Sequence, residues 1–160
     1  VPLDAPPRGD HAVVDIDALR RDWVGKEFHR AEYTIKEQQV LDYAASCGDT
    51  DPRYSDTAHP DFQAHPTFIG CLGNTRDAMT PANFPDLGRG RSIDGGKSVE
   101  IHGPIRPGDR LSARSEIADI YAKTGRSGTM LFIVHRLNFF NQNDEPVATV
   151  DLRQIKAVEG

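Results

Sequence analysis

The residues best suited to acid–base chemistry crowd into one stretch of the chain. Residues 48–65 (GDTDPRYSDTAHPDFQAH) hold Asp49, Asp51, Tyr54, His59 and His65 among turn-forming Gly, Asp and Pro, with no apolar periodicity. Loops of that length are often functional. A carboxylate beside an imidazole supplies what proton transfer needs at neutral pH, because the ordinary imidazole pKa lies near 6.5. Plainer roles exist for the same side chains: Asp49 follows a helix-ending Gly48, Asp51 precedes Pro52 as a turn former, Tyr54 anchors the loop, and His59 is solvated. Lys97, Lys123 and Arg126 are the basic residues able to pair with phosphate oxygens, and in hairpin turns such residues are usually just solvated. Asp77 lies beside Arg76, where a surface ion pair is the simpler account. Cys47 and Cys71 have no metal-ligand spacing, so we expect two reduced thiols packed as small hydrophobes and no metal site.

The elements that must position these residues follow from periodicity. Residues 1–14 are rich in proline and read as a loose tail, leaving 15–160 as one domain. Ile16, Leu19 and Trp23 suit a short helix stopped near Gly25, and residues 27–33 suit a strand. Thr34 and Glu37 have the form of a capping box opening a helix to about Cys47, with Gly48 as its stop. Pro66 opens a second helical pattern through Phe68, Ile69, Leu72, Ala78 and Met79. Its Gly70 and Gly73 imply close packing against a sheet or a ligand, so this helix is expected to be long and buried. After Gly90 the period becomes 2, with strands around 99–105, 111–121, 130–140 and 147–155 joined by short turns as antiparallel hairpins. His102 alternates away from Val99 and Ile101, as a surface or interface histidine would. The order is α+β.

Composition removes several partners. The chain has 160 residues and 24 acidic against 19 basic side chains, a formal charge of −5, with no Lys/Arg run longer than two. That charge argues against nucleic acid and against a polybasic membrane contact. The longest apolar stretch, residues 130–134, is far short of the ~20 residues that cross a bilayer, so a soluble, cytoplasmic chain is expected. The start at Val1 rather than Met reads as processed, tagged or truncated.

At this point the residues resemble a family. The runs LDYAASCGDTDPRY (41–54), HPTFIGCLG (65–73), HGPIRPGD (102–109) and KTGRSGTMLFIV (123–134), in this order, are similar to the MaoC-like hydratase/dehydratase group, and more closely to its dehydratase N-terminal branch. The resemblance implies a hot-dog fold, an antiparallel sheet wrapped around a long central helix. It implies hydration of an enoyl thioester, or dehydration of a 3-hydroxyacyl thioester, carried on coenzyme A or an acyl carrier protein. No other cofactor is implied.

Catalytic members resemble Asp-x-Asn-Pro-x-His in the loop before that helix. Asp49 stands at the Asp, Asp51 replaces the Asn, Pro52 matches, and Tyr54 stands at the His. A phenol, with its ordinary pKa near 10, cannot take over the imidazole's role as a base at neutral pH. In the family's Pro-x-x-His-Gly opening, Ile69 replaces the His and Gly70 keeps the residue whose N–H faces the thioester oxygen. The oxyanion donor is therefore expected to be kept and the acid/base pair broken. The leading expectation is a degenerate subunit beside a related catalytic MaoC-like chain carrying the intact pair. The alternatives are a self-sufficient homodimeric hydratase using Asp49 with His65 or Tyr54, a non-catalytic acyl-thioester binding module, or a thioesterase using Asp77. A dimer is expected because a lone unit leaves sheet edges exposed.

Overall fold

A computed structural model describes residues 14–88, 91–126 and 128–158. The tail expected over 1–14 lies outside them apart from Val14. Helix α1, Ile16–Trp23, is capped by Asp15, whose carboxylate accepts from the Ala18 N–H at 2.9 Å. Gly25, at φ +75°, then turns the chain into strand β1, Glu27–Thr34. Helix α2, Glu37–Cys47, ends at Gly48 with φ +69°, the left-handed stop expected from sequence. Its start differs from expectation. Thr34 is paired with Arg110 in the sheet, so the N-cap falls to Lys36, and Gln39 Oε1 accepts from the Lys36 N–H at 3.2 Å.

Strands β2 (Ser92–Ile101), β3 (Arg110–Gly125), β4 (Gly128–Phe140) and β5 (Pro146–Val158) join β1 in one antiparallel sheet of order β1-β3-β4-β5-β2. Strand β3 and much of β4 bury alternate residues on one face. Two apolar clusters result. One gathers Val40, Phe68, Ile69, Leu111, Leu137, Phe139 and Val150; the other gathers Leu19, Ile117, Ile120, Leu131 and Ile133 beneath α1. Fully burying each such side chain is worth about 1.5–3 kcal/mol.

The long helix expected over residues 66–79 is replaced by two short pieces. A 3₁₀ turn, Phe68–Cys71, precedes the single helical turn α4, Arg76–Met79, which follows α3, Pro52–Ser55, in helix order. The break is at Gly73, whose φ is +75° and where a Cβ would stand 2.1 Å from Leu137 Cδ2. The sheet packs directly on the Gly73 backbone, and the left-handed residue cannot continue a helical ladder. Among the described residues the longest helix is instead α2, which buries Val40 and Ala44. Both cysteines, expected to be packed inside, are exposed free thiols.

Candidate active site

The loop after α2 is held by its own side chains. Asp51 caps α3, accepting from the Arg53 N–H at 2.9 Å, and the Arg53 guanidinium grips its carboxylate at 2.7 Å. Those bonds hold the Asp51 pKa down to about 2. Farther along, Asp61 pairs with Arg106 at 2.6 Å, and the Ala64 N–H donates to the Ile105 carbonyl at 2.7 Å. These contacts tie the loop to the β2–β3 connection just before His65.

Asp49 and His65 consequently meet. Asp49 Oδ1 accepts from the Asp51 N–H at 2.9 Å, and Oδ2 lies 3.2 Å from His65 Nε2. The Thr67 N–H donates to His65 Nδ1 at 3.2 Å, which leaves the ring proton on Nε2, directed at Asp49. Thr67 Oγ1 lies 2.8 Å from Nδ1 and 3.0 Å from the Tyr43 hydroxyl, so the ring is oriented by a chain of polar groups. Tyr54 packs edge-on against the imidazole with ring centroids 5.2 Å apart. The pair is neither sealed nor fully solvated, with 29% of the Asp49 side chain and 20% of His65 exposed. Such a pair can hold and deprotonate a water molecule at its rim.

Two expectations therefore exchange places. Tyr54 and Ile69 at the family's His positions suggested a broken acid/base pair; in the structure His65, rather than Tyr54, meets Asp49. Conversely, the Gly70 N–H, expected to face a thioester oxygen, donates to the Thr67 carbonyl at 3.1 Å inside the 3₁₀ turn. The Gly70 carbonyl accepts from Lys97 Nζ at 2.6 Å and from Asn74 Nδ2 at 3.2 Å. Ile69, at the family's second His position, is completely buried.

The other sequence candidates are scattered. Lys97 is committed to Gly70 and to Asn74 Oδ1 at 3.2 Å. Lys123 lies over the stacked rings of Tyr121 and Phe132, and Arg126 is exposed in the β3–β4 hairpin, so the three bases form no common phosphate cradle. His59 accepts from the Asp61 N–H through Nδ1 as a loop-bracing residue, His102 contacts Thr149 Oγ1 at 3.0 Å, and Asp77 is exposed on α4. Thr67 and Tyr43 were not legible as site residues; the signal available was Thr67 two positions after His65, the spacing of a side-chain-to-backbone turn. Among the described residues no group of three His, Cys, Asp or Glu is placed to hold a metal ion, and no helix is long and apolar enough to cross a membrane.

Comparison with known proteins agrees with this architecture. A family model described as the FAS1-like, dehydratase domain region matches residues 22–150. A UPF0336 protein of Streptomyces coelicolor is 30% identical over 117 residues, covering 68% of this chain and 77% of that protein. The R-hydratase PhaJ1 of Pseudomonas aeruginosa superposes with a TM-score of 0.56 at 23% identity, covering 86% of this chain and 83% of its own. The ChsH1-ChsH2 complex of Mycobacterium tuberculosis gives 0.62 at 18% identity, covering 91% and 90%. With that match over most of its length and this sheet, the chain belongs to the FAS1-like dehydratase-region family and has the MaoC-like hot-dog fold of hydratases and dehydratases.

Proposed function

We propose that this chain hydrates trans-2-enoyl thioesters of coenzyme A or acyl carrier protein to (R)-3-hydroxyacyl thioesters, and runs the reverse dehydration, with Asp49 and His65 as the water-handling pair. The observation that carries this reading is the 3.2 Å contact between Asp49 Oδ2 and His65 Nε2. In hydration the water oxygen bonds to Cβ while Asp49 takes one of its protons, and that proton then passes to Cα. His65 donates from Nε2 to the carboxylate and so orients it towards the water. Charge that develops on the thioester oxygen calls for N–H donors. The Gly70 N–H supplies one when the substrate oxygen takes the place of the Thr67 carbonyl.

A second reading keeps the chain as the acyl-binding half of a hetero-oligomer whose related subunit carries the reaction. Tyr54 at the position of the family's loop His, and the buried Ile69 at the position of its second, favour it. A two-component complex among the structural neighbours is in keeping with it. Either reading takes a dimer, which covers the exposed edges β1 and β2.

The experiment is loss of enoyl-thioester absorbance when the purified lone chain meets trans-2-enoyl-CoA substrates of rising length. Asp49→Asn and His65→Ala should each lower kcat by about 10²–10⁴-fold without unfolding the protein. A rate indifferent to both substitutions rejects the Asp49–His65 assignment. A folded chain with no rate, which gains one on adding a co-expressed related subunit, selects the second reading.

A further inference from the structure

The inner face of the sheet carries polar atoms that no protein group satisfies. His135, 3% exposed, stands in mid-β4 between Ile133 of one apolar cluster and Leu137 of the other. Its Nε2 lies 3.4 Å from Gln154 Oε1, and Gln154 Nε2 donates to Ser92 Oγ at 3.0 Å. Gln154 thus turns its oxygen to the ring, so the ring proton is on Nε2 and Nδ1 is a bare acceptor. That Nδ1 is buried without a partner, and so is Ser115 Oγ, which sits on the next row of β3 opposite Leu137. Burial lowers the His135 pKa below its ordinary value, so the ring is neutral at pH 7. Such orphans are costly and call for an explanation.

Register connects His135 to the turn that carries Gly70. Lys97 lies opposite Leu152, and Leu152 opposite His135, so the three share one row of the sheet. Two strand spacings, roughly 10 Å, separate Lys97 from His135. Lys97 in turn bonds the Gly70 carbonyl. His135 and Leu152 line a cavity of about 340 Å³ together with Met79, Ser92, Asp94 and Gln154. An acyl chain that passes Gly70 and follows this row arrives at His135.

We propose that this cavity takes the far end of the substrate's acyl chain and selects chains that carry a hydroxyl there, donating to the His135 imidazole. The inference rests on the acyl-thioester reading above and names its substrate class. A hydroxyl fits because it donates to the bare Nδ1; a plain alkyl end leaves that atom unpaired and also dehydrates Gln154 and Ser92.

The test is calorimetric titration of the full chain with saturated S-acyl pantetheine thioesters, which both carriers share and which cannot be hydrated. Chains from hexanoyl to decanoyl are each compared with their ω-hydroxy analogue. At the best length the hydroxylated chain should bind about tenfold tighter or more. His135→Leu should abolish or reverse that preference. Equal or tighter binding of the plain chains at every length overturns the proposal, and so does a preference that survives His135→Leu. The wild-type comparison decides the matter by itself if His135→Leu does not fold. Binding without preference leaves the acyl-thioester reading standing and assigns the orphans to a buried water; no binding of any thioester removes that reading and this inference together.

Discussion

Replacing Gly73 by Ala tests the break that shapes the site. The new Cβ would lie 2.1 Å from Leu137 Cδ2 and 3.9 Å from Phe139 Cζ, and the residue would have to hold φ +75°. The left-handed conformation costs a non-glycine residue about 1–2 kcal/mol. Pushing aside the fully buried Leu137 is an overpacking event of about 1–3 kcal/mol. Together these give about 2–5 kcal/mol. For a domain of this size each kcal/mol moves Tm by about 2–4 °C, so a fall of about 4–20 °C is expected by calorimetry or circular dichroism. The two costs separate in a Leu137→Ala background, where the side chain that clashes is gone. There Gly73→Ala should cost only the conformational part, about 1–2 kcal/mol. Equal losses in both backgrounds, or a single variant as stable as the wild type, would refute the packing account of the broken helix.

Two pH dependences follow from named groups. His135 titrates lower folded than unfolded because it is buried, so the unfolded chain binds the extra proton. Stability is therefore intact above about pH 6.5 and falls as the pH drops below it. His135→Leu should flatten that part of a Tm-against-pH curve, and an unchanged slope would show that the ring is solvated. Asp51, held down to about 2 by Arg53, contributes its stabilisation above the ordinary carboxylate range and loses it as the pH falls towards 2. Asp51→Ala should thus lower Tm at pH 7, with the gap from wild type closing on acidification; a gap that persists at pH 2 would deny the charge its role.

The strands were legible because period-2 burial and the turn clusters around Gly108, Gly125 and Asp144 are local properties. Helix α1 and the end of α2 were legible for the same reason, since Asp15 and Gly48 act within one turn of chain. The helix through Gly73 was misread because its apolar spacing is helical while its conformation is dictated by Leu137, which is 64 residues away by subtraction of the two positions. The inward burial expected of Cys47 and Cys71 failed likewise, because which side of α2 and of the 3₁₀ turn faces the sheet is a tertiary choice.

The candidate site divides in the same way. Local patterning sets the α+β order, the loop that carries Asp49, Tyr54 and His65, and the chemistry those residue types allow. Only the tertiary structure decided that His65 rather than Tyr54 faces Asp49, that the Gly70 N–H is occupied by Thr67, and that Lys97, Lys123 and Arg126 stand apart. Residue type and local spacing set what a side chain can do. Hydrogen bonds such as Ala64 to Ile105 and Arg106 to Asp61 set where it stands, and those partners meet only once the sheet has formed.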